Sequence, residues 1–189
     1  MTINYKLQKE HGGGSRLMSI LKVNTINAAT SGQAVAVDLQ NPRSFRNLII
    51  NGAMQVAQRG TSGSGAYGYY SVDRWYNFNN GLDENPTISQ ADVSSSTSPY
   101  NLGFRKSFKV TNGNQTIIST TLEAQDIANS GWNYTSTSSY ITVSYWAKAS
   151  VAQTYYGFVK APDGSNYIYP YSFALSANTW TKVTKTIPG

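Results

Sequence analysis

The sequence predicts an all-β fold, an antiparallel β-sandwich, and three observations carry that expectation. Charged residues make up only 13% of the 189 positions, whereas 14 tyrosines and abundant Ser, Thr, Asn and Gly suit half-buried strands joined by turns. From Phe45 onward, turn signals recur at the intervals of a sandwich. No repeat of fixed period emerges, which disfavours a propeller or a solenoid.

The length and the 40% hydrophobic content allow one domain of ordinary size plus an appendage. Residues 1–17 are polar, end in "HGGGSR" and read as a flexible leader, after which Met18 offers a second start. Residues 18–44 form an extended arm with two short alternating runs, Leu21/Val23 and Val35/Val37/Leu39. Two strands of that size make no core alone. They are expected to pack on the following domain, on copies of themselves around a symmetry axis or on a partner protein, with the intersubunit options favoured.

The sandwich, residues 45–189, begins with a strand expected at Asn47–Val56 and a second at Ser71–Asn77. Further strands are expected at Thr87–Val93, Phe104–Thr111, Gln115–Leu122, Tyr140–Lys148, Thr154–Lys160, Tyr167–Ala174 and Thr179–Thr186. "NG" at 51–52, "GSG" at 63–65, "SSSTSP" at 94–99, "NGN" at 112–114 and "PDG" at 162–164 punctuate them. In "YITVSYWAK" the more apolar alternate set is Ile141, Val143, Tyr145 and Ala147, so this set should face inward and Trp146 outward. "TLEAQDIANSG" is the one helical candidate, one or two turns long, with Gly131 as its stop.

Charge narrows the partners. The net charge is +6, but residues 1–60 hold seven Lys/Arg against two acids, giving +5, and the remaining 129 hold eight against seven, giving +1. A nearly neutral sandwich offers no basic face for phosphates, so nucleic acid is not expected as a partner. No stretch approaches the roughly 20 apolar residues of a membrane span, and the N-terminus has no apolar core of a secretory signal. Membrane insertion is not expected.

Chemistry is constrained by what the chain lacks. There is no cysteine, and the only histidine, His11, sits in the leader beside three glycines. Imidazole-based catalysis, thiolate sites and histidine metal clusters therefore lack their groups. No phosphate-binding glycine motif is present, and the loop acids Asp83 and Asp163 lack calcium-loop spacing. No cofactor or metal is expected. A carboxylate pair is the remaining enzymatic option, and Asp73 and Glu123 are its test positions. Asp73, in "SVDRW", reads better as a carboxylate tying down a loop. If buried it needs backbone donors or a cation, and its neighbour Arg74 points to the other face of an extended chain.

Aromatics carry the binding hypothesis. Tyr167, Tyr169 and Tyr171 in "YIYPY" share one face of a strand, Trp132 and Tyr134 lie in a polar loop, and Tyr67, Tyr69 and Tyr70 follow the glycine-serine stretch. Such residues can stack on sugar rings while their polar ends take hydrogen bonds. They serve equally as a sandwich interior or an intersubunit contact, and Trp75 and Trp180 read as core.

"RNLIINGAMQVAQRGTS", then "GYYSVDRW" and "YITVSYWAKAS", resemble the jelly-roll domain of bacteriophage tail fibres and related virion-surface proteins, similar in fold to carbohydrate-binding modules. "MSILKVNTINAATSGQAVAV" resembles N-terminal segments of phage structural proteins, so the likeness spans residues 18–189. It implies a non-enzymatic, commonly trimeric component of the phage particle surface. Residues 18–44 would attach to other tail or capsid proteins, and the jelly roll would touch host polysaccharide. Such domains usually continue beyond "TIPG" with further strands, so the chain is expected to be a fragment or to borrow strands. A capsid decoration protein is an alternative. A carbohydrate-binding module of a secreted polysaccharide-degrading enzyme is another, though it would need an export signal and a linked catalytic domain.

Overall fold

The computed structural model describes residues 47–80, 84–113, 115–162 and 167–189, which fall within the compact unit Arg43–Gly189. The leader with His11, the arm 18–44 and the loop acids Asp83 and Asp163 lie outside the described residues.

The described strands are β1 (Ser62–Ser64), β2 (Tyr67–Gly68), β3 (Tyr76–Asn80), β4 (Thr87–Asp92), β5 (Lys106–Thr111), β6 (Gln115–Ser119), β7 (Tyr140–Ala147), β8 (Gln153–Ala161), β9 (Tyr167–Leu175) and β10 (Thr181–Pro188). Two short helices, α1 (Ser98–Asn101) and α2 (Ala124–Ser130), interrupt them. Among the described residues every pairing between these strands is antiparallel, and the fold is all-β as composition predicts. Pairing is nested: β4 joins β5 inside β3 with β6, and β8 joins β9 inside β7 with β10. β1 extends the inner pair of the first set and β2 the outer pair.

Alternation explains the second set. Register places Ile141, Val143, Tyr145 and Ala147 opposite Ile187, Lys185, Val183 and Thr181. This is the face the pattern predicts, and Val183 and Ile187 on it are buried. Trp146 lies on the other face, opposite Lys182. The inner face of β9 meets it: Tyr145 packs edge-on against Phe173 with ring centroids 5.8 Å apart, and its hydroxyl is 3.2 Å from that of Tyr171. Two sheets thus stack in a sandwich-like arrangement. A side chain at Gly157, directly opposite Tyr171, would collide with the hydroxyl end of the Tyr171 ring, so glycine here lets that ring lie across the strand.

Burial, then the hydrogen bond from Tyr171 and the charge of that same group, push the Tyr145 hydroxyl well above its ordinary value of 10.0. The native state therefore holds a proton that the unfolded chain releases above about pH 10. The stabilisation is complete below that pH and declines as pH rises. Tyr145→Phe should flatten the fall of melting temperature between about pH 10 and 12; parallel declines in parent and variant would remove the assignment.

The first set inverts the usual rule. In β3 the aromatics Tyr76 and Phe78 alternate with Asn77 and Asn79, and the asparagines are the buried ones, both 0% exposed. They are satisfied there. The Asn77 amide donates to the carbonyls of Gly65 and Ala66 at 3.4 Å, Asn79 donates to the Asn77 Oδ1 at 3.1 Å, and Thr116 donates to the Asn79 Oδ1. A buried amide with its partners in place is tolerated. This network ties the glycine-serine segment to β3 and leaves Tyr76 and Phe78 half-buried on the opposite face of the strand.

Four local expectations are corrected. Asn47–Val56 is a series of turns, because Asn51 and Met54 adopt left-handed backbones with φ 54° and 58° that no strand accommodates. The strand expected at Ser71–Asn77 starts only at Tyr76, since Arg74 sits at φ 74° in the preceding turn. "TSP" opens helix α1, with proline in its first turn, where its missing N–H is harmless. The glycine-serine stretch also carries β1 and β2. Helix α2 matches its expected segment and ends at Gly131, φ 79°.

Candidate functional site

The site is built on a knot between two turns. Asn51 uses its side chain as a clasp: its amide nitrogen donates to the carbonyls of Val56 and Asp73, both at 2.9 Å, and its Oδ1 accepts from the Val56 N–H at 3.0 Å. Its own carbonyl accepts from the Trp75 indole at 3.2 Å. Asp73 then takes the Gln58 N–H at 3.2 Å and faces the Arg59 guanidinium at 3.6 Å. A half-buried Asp73 therefore has the backbone donor and the cation expected for it. Arg74 does not pair with Asp73; it reaches Glu123 at 2.8 Å, while its carbonyl accepts from the Thr120 hydroxyl. The quoted segments N-G, Q-R-G and D-R-W thus converge in space.

Beside the knot lies an open cleft of about 740 Å³, lined among others by Tyr69, Arg59, Asp73, Arg74 and Glu123. Tyr69 is 46% exposed, braced edge-on by Tyr76 with centroids 5.1 Å apart, and overlain by the Arg59 guanidinium at 5.8 Å. Next to it, Tyr67 packs edge-on against Phe78 at 4.9 Å and is 53% exposed. Tyr67, Tyr69, Tyr76 and Phe78 form an aromatic row outside the first sheet set. Tyr70 differs. Its ring fills the space that side chains at Gly65 and Gly68 would take, its Cβ and backbone crowd the space at Gly63, and its hydroxyl is committed to the Tyr67 carbonyl at 2.6 Å. It is a packing residue, and the glycine-serine stretch is the cradle that admits it.

The other sequence candidates fall into separate groups, and no ring contact among the described residues joins one group to another. Trp132 and Tyr134 meet edge-on at 6.4 Å; Tyr134 is exposed, whereas the Trp132 indole N–H is buried without an acceptor. Tyr167 and Tyr169 are exposed on β9, but Tyr171, on the same face, turns into the interior toward Tyr145. The eight aromatics are thus three patches rather than one platform.

Sequence reasoning gave Asp73 a loop-tying role that needs a donor or a cation, named Glu123 only as a test position for an enzymatic carboxylate pair, and assigned neither Arg59 nor Arg74 to the site. Nothing in spacing links Arg74 to a residue 49 positions away; that contact is made by the chain path through β6. Among the described residues, no group of His, Cys, Asp and Glu is arranged to hold a metal ion, and no helix is long and apolar enough to cross a membrane. No family model, curated protein or solved structure matches the chain.

Proposed function

We propose that this chain is a structural component of a phage virion, a tail fibre protein whose sandwich contacts host-surface glycans without catalysis. The observation that carries the reading is the inverted β3, which buries its asparagines and leaves Tyr76 and Phe78 half-buried, bracing the exposed rings of Tyr67 and Tyr69, the latter lining the cleft. Aromatic rings fixed on a sheet offer sugars an apolar stacking surface at little entropic cost, with hydrogen-bonding groups within reach. Residues 18–44 would hold the chain to neighbouring tail or capsid proteins and assemble it as a homotrimer. Three copies would convert modest single-site affinity into avidity.

The test is retention of the full chain on immobilised bacterial surface polysaccharides. The parent should be retained, and the double variant Tyr67→Ala with Tyr69→Ala should lose about tenfold in retention with its melting temperature little changed. Sedimentation should return the mass of three chains. Retention indifferent to both tyrosines would overturn the role given to the aromatic row.

A further inference from the structure

We infer that the Tyr69 cleft is a subsite for a neutral pyranose and discriminates against uronates and sialic acids; the inference rests on the glycan-binding reading above. Arginines in a sugar site ordinarily suggest an acidic ligand. Here each is already answered: the charged residues lining the cleft are Arg59, Arg74, Asp73 and Glu123, paired as Arg59 with Asp73 at 3.6 Å and Arg74 with Glu123 at 2.8 Å. Their sum is zero. A carboxylated sugar drawn to either guanidinium would meet the carboxylate beside it, and like charges at such range are repulsive.

The same groups suit a ring bearing hydroxyls alone. Glu123 is 47% exposed and meets Arg74 through Oε1, which leaves Oε2 to accept from a sugar hydroxyl. Of the five N–H donors of a guanidinium, the Glu123 contact uses one nitrogen of Arg74, Nη2. A donor and an acceptor side by side match two adjacent hydroxyls, one accepting and one donating. Tyr69 supplies the apolar surface for the C–H face of the ring. The Asn51 clasp holds Asp73 in register, so the polar half of the subsite is formed before the ligand arrives.

The experiment is calorimetric titration of the full chain with neutral hexasaccharides built from glucose, mannose, galactose or xylose, and with hexagalacturonate and sialyllactose as acidic probes. At least one neutral probe should bind tighter than either acidic one, with affinity changing less than about twofold between low and physiological salt. Tyr69→Ala should weaken that neutral binding by about tenfold. Glu123→Gln frees Arg74, so it should weaken the neutral probe and strengthen hexagalacturonate, a reversal that simple loss of structure does not produce. Tighter acidic than neutral binding by the parent overturns the inference but keeps the glycan reading. Neutral binding that responds to Tyr67→Ala and ignores Tyr69→Ala has the same consequence. No binding of any probe overturns both. Release of new reducing ends by the parent and not by Glu123→Gln also overturns it, since the cleft would then be catalytic.

Discussion

Asn51→Ala is expected to lower the melting temperature by about 10 °C, corresponding to about 3 kcal/mol in a domain of this size. The side chain makes three hydrogen bonds to the backbone of Val56 and Asp73, each contributing about 1 kcal/mol net. Asparagine also tolerates the left-handed backbone found here, φ 54°, better than alanine, for which such a conformation costs about 1 kcal/mol or more. Solvent near the turn returns part of the loss. Asn51→Gly separates the two contributions, because it removes the hydrogen bonds and keeps the conformational freedom, so it should be less destabilising by about 1 kcal/mol. Chemical denaturation of the three proteins measures this. A change within about 0.5 kcal/mol for Asn51→Ala, typical of an unremarkable surface site, would mean that the turn holds without its clasp.

Gly65→Ala is expected to be of similar size. The residue is buried at φ 156°, and a methyl there would collide with the Tyr70 hydroxyl and ring carbon. Overpacking of this kind costs about 1 to 3 kcal/mol, and the backbone adds to it. Tyr70 cannot withdraw freely, because its hydroxyl is held by the Tyr67 carbonyl at 2.6 Å. Tyr70→Phe removes that tether at a cost of about 1 kcal/mol and also removes the atom nearest the new methyl. The double variant should therefore be more stable than the sum of the single losses, by about 0.5 kcal/mol or more, as measured by a double-mutant cycle. Strict additivity would show that Tyr70 does not rest in the glycine cradle.

The second sheet set was legible in the sequence because its strands obey period-two burial. "YITVSYWAK" declares its inner face, and Val183 and Ile187 answer it across the register. Gly131 likewise declares the end of α2. The first set was less legible, for two physical reasons. Asn51, Met54 and Arg74 take left-handed conformations that propensity assigns to glycine, so apolar runs that look extended are folded into turns. In β3 the ordinary preference of aromatics for the interior is overridden by an amide network whose partners, Gly65, Ala66 and Thr116, lie on other segments. The candidate site depends on both exceptions. Tyr67 and Tyr69 could be named from composition and pattern, but Tyr76 and Phe78, which brace them, and the arginine-carboxylate pairs could not, since they depend on sheet register, a turn or a long-range contact.

The nested pairing described for β7 to β10 also favours one order of assembly. Residues 140 and 188, partners at the far end of the outer pair, begin as distant points on a disordered coil, and joining them directly sacrifices chain entropy with only one contact in return. The β8–β9 hairpin is local and forms at far smaller sacrifice. Once it exists, the short connectors on either side are already neighbours, held by the Ala149–Ala177 bridge and the Asn178 N–H to Ala149 carbonyl bond of 2.7 Å. The outer strands are then expected to zip from those connectors toward Tyr140 and Pro188, with the hairpin as the nucleus whose alignment the outer pair inherits; folding rates that respond to destabilising substitutions in the β7–β10 pair and not in the β8–β9 hairpin would refute this order.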